Sequence, residues 1–287
     1  VDDRSALKDI FAQAQTIVAT HCEDNPTIKA NTKIFRSRYG EDVPMTAHPQ
    51  IRSEEACYLS TALAVDLARK YGTRLHILHL TTAGEMALLT GGPLDDKQIT
   101  AEVCVHHLFF DQSHYPEKGT LIKCNPAIKK ATDRKALVQA VKNDKIDIIA
   151  TDHAPHTLNE KRSPYFKAPA GLPLVQHSLP CLLEHYHNGH FPLPLIAEKT
   201  AHAPARLFEL KERGYIREGY WADLTLVDVE QPYAVSENKI LYRCGWSPFE
   251  GYTFRSTVEA TIVSGHLAYY NGKVDPHPAG QRLEFER

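Results

Sequence analysis

The chain has 287 residues, 43% hydrophobic and 24% charged, with a formal net charge of −2 at pH 7. That balance suits a globular chain burying one large core or two smaller ones, and mixed charge without a basic excess argues against a nucleic acid or an anionic membrane held by bulk electrostatics. No run of about 18 apolar residues offers a membrane span, and the opening VDDRSALKDIF lacks the pattern of a secretory signal, so a cytoplasmic protein acting on a small molecule is expected.

In chain order, TIVATH (16–21), RLHILHL (74–80), ITAEVCVHH (99–107) and IDIIATD (146–152) are apolar or β-branched runs of buried-strand length. Between them, SEEACYLSTALAVDLARKY (53–71) and DRKALVQAVKN (133–143) space their apolar residues for helices, with Ser53 and Asp133 as expected N-caps. Alternation of this kind predicts an α/β fold with a parallel sheet, open or closed into a barrel. From about 215 the texture changes: GYWADLTLVD, STVEATIVSG and HLAYYNGKV alternate like antiparallel strands, and Asn271-Gly272 is a strong hairpin signal. Two domains are therefore expected, 1–214 and 215–287, with no internal repeat and no low-complexity segment.

Six cysteines are scattered without a CxxC pair and are expected to be reduced and structural. Sixteen histidines stand out, because imidazole is a proton shuttle near neutral pH and the commonest nitrogen ligand for metals. In parallel α/β sheets reactive groups gather at the C-terminal ends of strands, and there the sequence puts His21, His79 and Asp152. Taken singly, each has a bland alternative: a hydrogen-bonded loop imidazole, or a carboxylate closing an Asx turn. The coincidence of three strand ends favours a site for a borderline divalent ion such as zinc. His156 is expected on a loop near Asp152, because Pro155 denies a helix to the residue before it. His153, His106 and His107 carry no assigned role; the last two are read as closing the third strand, with only one facing inward. His185, His187 and His190 are discounted as lying on a solvated helix end.

ATDHAPH (150–156) resembles the most diagnostic motif of the dihydroorotases, within the amidohydrolase superfamily of metal-dependent hydrolases. The likeness continues through THCEDN, LHILHLTTAGE, ITAEVCVHHLFF, GTLIKCNPAIK, the EK of 160–161, APAGL, GYWADLTLVD and SPFEGYTFRSTVEATIVSGHLAYYNGK, and so covers nearly the whole chain. It implies a TIM-type (β/α)8 barrel, of which residues 1–214 would be the C-terminal half, strands 5 to 8. Residues 215–287 would then form part of a small β-sandwich. It further implies two zinc ions, His21 and His79 binding the second, and Asp152 binding the first and moving protons. Asn125 would hydrogen-bond a pyrimidine ring, His156 would meet a substrate carboxylate, and the backbone at Ala170 and Gly171 would meet the ring amide. The remaining ligands, a His-x-His and a carboxylated lysine, are expected upstream, so the chain is read as the C-terminal part of a longer enzyme.

The implied reaction is the reversible interconversion of N-carbamoyl-L-aspartate and dihydroorotate in pyrimidine biosynthesis. Alternatives are allantoinase, a dihydropyrimidinase or hydantoinase, and a non-catalytic partner of a carbamoyltransferase; a homodimer is left open. Departures from the pattern are Cys104-Val105 in place of Thr-Pro, Ala127 in place of a second proline, and Gln176 near an acidic position. LNEKRSPYFKAPAG (158–171) is a candidate mobile loop over the site.

Overall fold

A computed structural model describes residues 3–286. The chain forms two compact units, Val1–Val175 and Gln176–Arg287, and the β-rich segment expected from 215 lies inside the second.

The first unit is built on a parallel sheet, β1 (Val18–Thr20), β2 (Leu75–Ile77), β3 (Ile99–Cys104) and β4 (Ile148–Ala150), in the order β1-β2-β3-β4. β1 aligns Val18 with Leu75, and β2 aligns Leu75 with Ile99. The upper part of β3 pairs with β4, from Glu102↔Ile148 to Cys104↔Ala150. All of β2 is buried, as expected for a parallel strand covered on both faces. The strands are shorter than their apolar runs because regular pairing stops before the polar ends, and those ends are left to turn.

One expectation is corrected here. The third strand stops at Cys104, and Val105–Phe109 form a short helix. With the ladder to β4 finished at Ala150, the backbone beyond Cys104 finds its partners along the chain instead, as in Phe110 N–H donating to the His106 carbonyl (2.9 Å). A helix turn does not obey the two-residue alternation of a strand, and both His106 and His107 are buried.

The helix Glu54–Tyr71 starts where its sequence says it should. Ser53 Oγ accepts from Ala56 N–H at 3.2 Å, Glu54 and Glu55 occupy the first turn, and Arg69 and Lys70 the last. Gly72 closes it in the left-handed conformation (φ 71°). Cys57, Thr61, Ala64, Val65 and Ala68 form its buried stripe. The second expected helix runs from Ala131 to Lys142, so Asp133 is its third residue and not its N-cap. Its carboxylate reaches back to accept from Lys130 N–H (3.2 Å) and from Ala83 N–H (2.8 Å), tying the helix start to the loop after β2.

Beside the sheet, Ile28, Val43, Ala47, Ile51, Ala56 and Tyr165 pack as an apolar cluster, and His48 is buried against it. His48 Nε2 donates to the Cys124 carbonyl (2.8 Å) while Tyr165 Oη donates to Nδ1 (2.8 Å), which describes a neutral ring. Burial pushes its pKa down to about 3. The native ring therefore stays neutral while the unfolded one takes up a proton below its ordinary value near 6.5. The stability this group contributes is complete above pH 6.5 and is lost as pH falls toward 3, at a slope of about 1.4 kcal/mol per pH unit. Urea midpoints measured across that range should fall less steeply for His48→Gln, which can keep a donor to Cys124 but does not titrate.

In the second unit, β5 (Leu224–Asp228) belongs to a four-stranded sheet, and a ribbon of β6 (Tyr233–Ala234) and β7 (Thr253–Phe254) follows. The sheet is completed by β8 (Thr257–Val263), β9 (His266–Tyr270) and β10 (Lys273–Val274), antiparallel in the order β10-β9-β8-β5. The expected hairpin at Asn271-Gly272 is present with φ of 46° and 82°, and Ser264-Gly265 repeats the geometry at 51° and 86°. Positive φ at both central residues is the turn that matches strand twist. His185, discounted as solvated, is buried on the helix Ser178–His187, its Nδ1 3.1 Å from Nδ1 of His190. No disulfide links the six cysteines, and among the described residues no helix is long and apolar enough to cross a membrane.

Candidate functional site

The three expected metal ligands, His21, His79 and Asp152, follow the C-terminal ends of β1, β2 and β4, and two of them share a backbone signature. His79 (φ 37°) and Asp152 (φ 47°) are in the left-handed region, where a residue with a Cβ is held only if its surroundings insist. Around His79 they do. Leu78 N–H donates to the Thr20 carbonyl of β1 (3.0 Å) and Leu80 N–H to the Glu102 carbonyl of β3 (2.9 Å), so the chain kinks at His79 while its neighbours stay paired. The following loop is fixed by the buried Glu85 carboxylate, which accepts from Thr61 Oγ1 (2.6 Å), Thr82 Oγ1 (2.8 Å) and Thr82 N–H (3.2 Å).

His21 and His79 meet: Nδ1 of His21 lies 3.0 Å from Nε2 of His79, with the rings edge to face. Nδ1 of His79 is buried without a partner. Burial, reinforced by the neighbouring His21, lowers the pKa of His79 against the pull of the Asp152 carboxylate, which favours the neutral ring that a metal needs. Two nitrogens bound to one tetrahedral zinc at about 2.0–2.1 Å stand about 3.3 Å apart. The observed separation fits a shared ion, as does the donor chemistry.

Asp152 is exposed and close enough to His79 and Cys104 to act on their charge. Among the described residues, however, the three-donor group within 4.8 Å is Cys104, His106 and His107, so His21, His79 and Asp152 are not gathered that tightly.

Two residues that the sequence reading passed over complete this edge. Glu23 Oε2 accepts from His21 Nε2 (3.1 Å), and its other partner is Arg52. Although burial pushes Glu23 up, the His21 hydrogen bond and the Arg52 guanidinium hold it below the usual carboxylate value. A carboxylate on the far nitrogen fixes the tautomer and orientation of a ligating imidazole, and the two-residue spacing within HCEDN was its signal. His21, Glu23, Arg52 and Asn125 line one cleft of 580 Å³, and the Asn125 Oδ1 acceptor is buried and unpartnered.

The loop residues gather nearby in sequence and space. His156 Nε2 lies 3.2 Å from the Ala170 carbonyl, placing the expected carboxylate binder against the expected backbone segment. His153, unassigned from sequence, has a structural use: its Nδ1 accepts from Leu174 N–H (2.9 Å) and Val175 N–H (3.2 Å).

The segment 158–171, read as a candidate mobile loop, is held by two buried lysines. Lys161 Nζ donates to the carbonyls of Lys123 (3.0 Å), Pro169 (3.0 Å) and Gly171 (2.9 Å). Lys123 Nζ donates to those of Tyr165 (2.5 Å) and Ala168 (2.6 Å). Burial pulls both ammonium groups down to about 8.

Gly171 is where the backbone must come closest. Its φ is 134°, and a Cβ there would stand 2.4 Å from the Ala154 carbonyl oxygen. Gly171→Ala is expected to destabilise the unit by about 1–3 kcal/mol, read as a lower urea midpoint.

Residues 4–268 match the sequence pattern of the Amidohydrolase family. Over 268 residues the chain is 31% identical to the dihydroorotase of Methanothermobacter thermautotrophicus, covering 93% of this chain and 59% of that one. Over 288 residues it is 28% identical to the allantoinase of Desulfitobacterium hafniense, covering 99% and 63%. The fold resembles that of the L-hydantoinase (dihydropyrimidinase) from Arthrobacter aurescens, with a TM-score of 0.89 at 22% identity over 97% of this chain and 63% of that structure. The chain thus spans about three fifths of the length of these relatives.

Proposed function

The chain belongs to the amidohydrolase family, and from that premise we propose that it carries the metal- and substrate-binding half of a dihydroorotase. The enzyme would reversibly hydrolyse dihydroorotate to N-carbamoyl-L-aspartate in the cytoplasm. The four parallel strands are read as strands 5 to 8 of a (β/α)8 barrel, and the antiparallel sheet as part of a small β-sandwich. The observation that carries the reading is the approach of the His21 and His79 ring nitrogens to 3.0 Å, at strand ends where such folds keep their chemistry.

His21 and His79 would hold one zinc ion and Asp152 a second. When bound, zinc supplies Lewis acidity, which favours attack of water on a ring amide carbonyl at neutral pH. The chain's own groups do the rest. Asp152 takes a proton from the attacking water and gives it to the ring nitrogen as the C–N bond breaks, so that the amide opens to a carboxylate and a ureido group. Asn125, whose Oδ1 is buried without a partner, accepts from a ring N–H. The backbone of Ala170 and Gly171 fixes the ring amide at close range, and His156 meets the substrate carboxylate.

That last role separates dihydroorotate from rings without an acidic group. His156→Ala is expected to raise KM for dihydroorotate by about 10-fold or more with a smaller change in kcat, the loss of one charge-assisted hydrogen bond. Steady-state kinetics in the hydrolytic direction would show it. The match to an allantoinase over nearly the whole chain makes that activity the second reading. Assays of the full-length protein on dihydroorotate, allantoin and dihydrouracil decide between them. Turnover of allantoin without dihydroorotate would reassign the substrate, and no turnover of any ring with no bound zinc would defeat the enzyme reading.

A further inference from the structure

Beside the His21–His79 pair lies a second set of donors that the proposed reaction does not use. Because the chain turns into a helix straight after Cys104, the ligand atoms of Cys104, His106 and His107 come within 4.8 Å of one another. The three residues are 0%, 1% and 3% exposed. His107 Nε2 donates to the Pro126 carbonyl at 3.1 Å, so its proton is fixed there, and the lone pair on Nδ1 is buried without a partner. His106 has neither nitrogen partnered. Orphaned buried groups of this kind cost about 1–3 kcal/mol each, so three of them in one place call for a resident.

We propose that Cys104, His106 and Nδ1 of His107 form a mononuclear site for a borderline-soft divalent cation of the zinc type, separate from the His21–His79 pair. One thiolate and two imidazoles are the donors such an ion selects over harder cations. The hydrogen bond from His107 Nε2 to a backbone carbonyl is the outer contact that ligating histidines make. The Cys124 sulfur is 3.8 Å from His107 Nε2, on the opposite nitrogen, and is not counted as a ligand. Binding involves no redox change: the Cys104 thiol releases its proton to solvent and the sulfur forms a bond to the ion. Because the bound form needs the thiolate, uptake should rise with pH. Through His107 and the Pro126 carbonyl, the ion would stiffen the loop that carries Asn125.

The site is independent of the proposed function, and its test separates the two. Zinc K-edge absorption of the zinc-loaded wild-type protein should contain a sulfur scatterer at about 2.3 Å, which the His21, His79 and Asp152 donors cannot supply. The cobalt-substituted protein should show a thiolate-to-cobalt charge-transfer band. Cys104→Ser should remove that band and reduce bound cobalt by about one ion per chain, whereas Cys181→Ser, in the second unit, should change neither. A wild-type edge with nitrogen and oxygen neighbours only would overturn the proposal, even if the variants failed to fold. So would a band that survives in Cys104→Ser. A wild-type protein that turns over dihydroorotate but shows no sulfur scatterer counts against this site alone; a wild-type sulfur scatterer without turnover counts against the dihydroorotase reading alone.

Discussion

Asp152→Asn is expected to lower kcat by about 10²–10⁴-fold, the span that a positioned proton-transfer group contributes. Asparagine is the informative replacement for two reasons. Asp152 sits at φ 47°, and asparagine is among the few residues that tolerate this conformation, so the backbone is kept. The amide also preserves an oxygen in nearly the same volume but cannot take the proton from water and return it to the ring nitrogen. Circular dichroism and urea unfolding should therefore match the parent while turnover collapses. If the variant kept more than about a tenth of the parent kcat, Asp152 would not be the proton carrier, and the assignment would move to another group at the strand ends.

Lys161→Met is expected to be the most damaging change outside the reacting groups. Two effects oppose each other. Methionine removes a buried positive charge, which is favourable, since burial already depresses the ammonium to about 8. It also strips a donor from each of the carbonyls of Lys123, Pro169 and Gly171, at about 1–3 kcal/mol for each buried acceptor left poorly satisfied. The Lys123 carbonyl keeps the Gly171 N–H (2.9 Å), but the losses together still outweigh one relieved charge, and a net destabilisation of about 3 kcal/mol is expected in urea. The peptide whose carbonyl points at Lys161 from Pro169 directs the Ala170 N–H the other way, so this clamp also sets the segment proposed to meet the ring amide. KM should rise more than kcat falls. A variant as stable as the parent would show that the loop holds itself without the lysine.

The strand ends were legible from sequence because a buried parallel strand is a run of β-branched residues, and the first polar residue after it marks where pairing stops. His21, His79 and Asp152 were found in this way, and Ser53 and Asn271-Gly272 through cap and turn chemistry that acts over a few residues. The sequence alone could not foresee that 105–109 would turn helical. That choice depends on where the ladder between β3 and β4 runs out, a matter of register between segments more than forty residues apart.

For the same reason the burial of both His106 and His107, and their approach to Cys104, was decided by the tertiary structure. So was the Glu23–Arg52 support behind His21, a contact between residues 29 apart. Lys161 makes the point most clearly. In sequence it is one more lysine in a polar loop, where a charge is expected to face water, and only the convergence of three carbonyls turns it inward. Local chemistry named the groups able to react; long-range packing decided which are held together, because burying a donor is tolerable only where distant backbone supplies its acceptors.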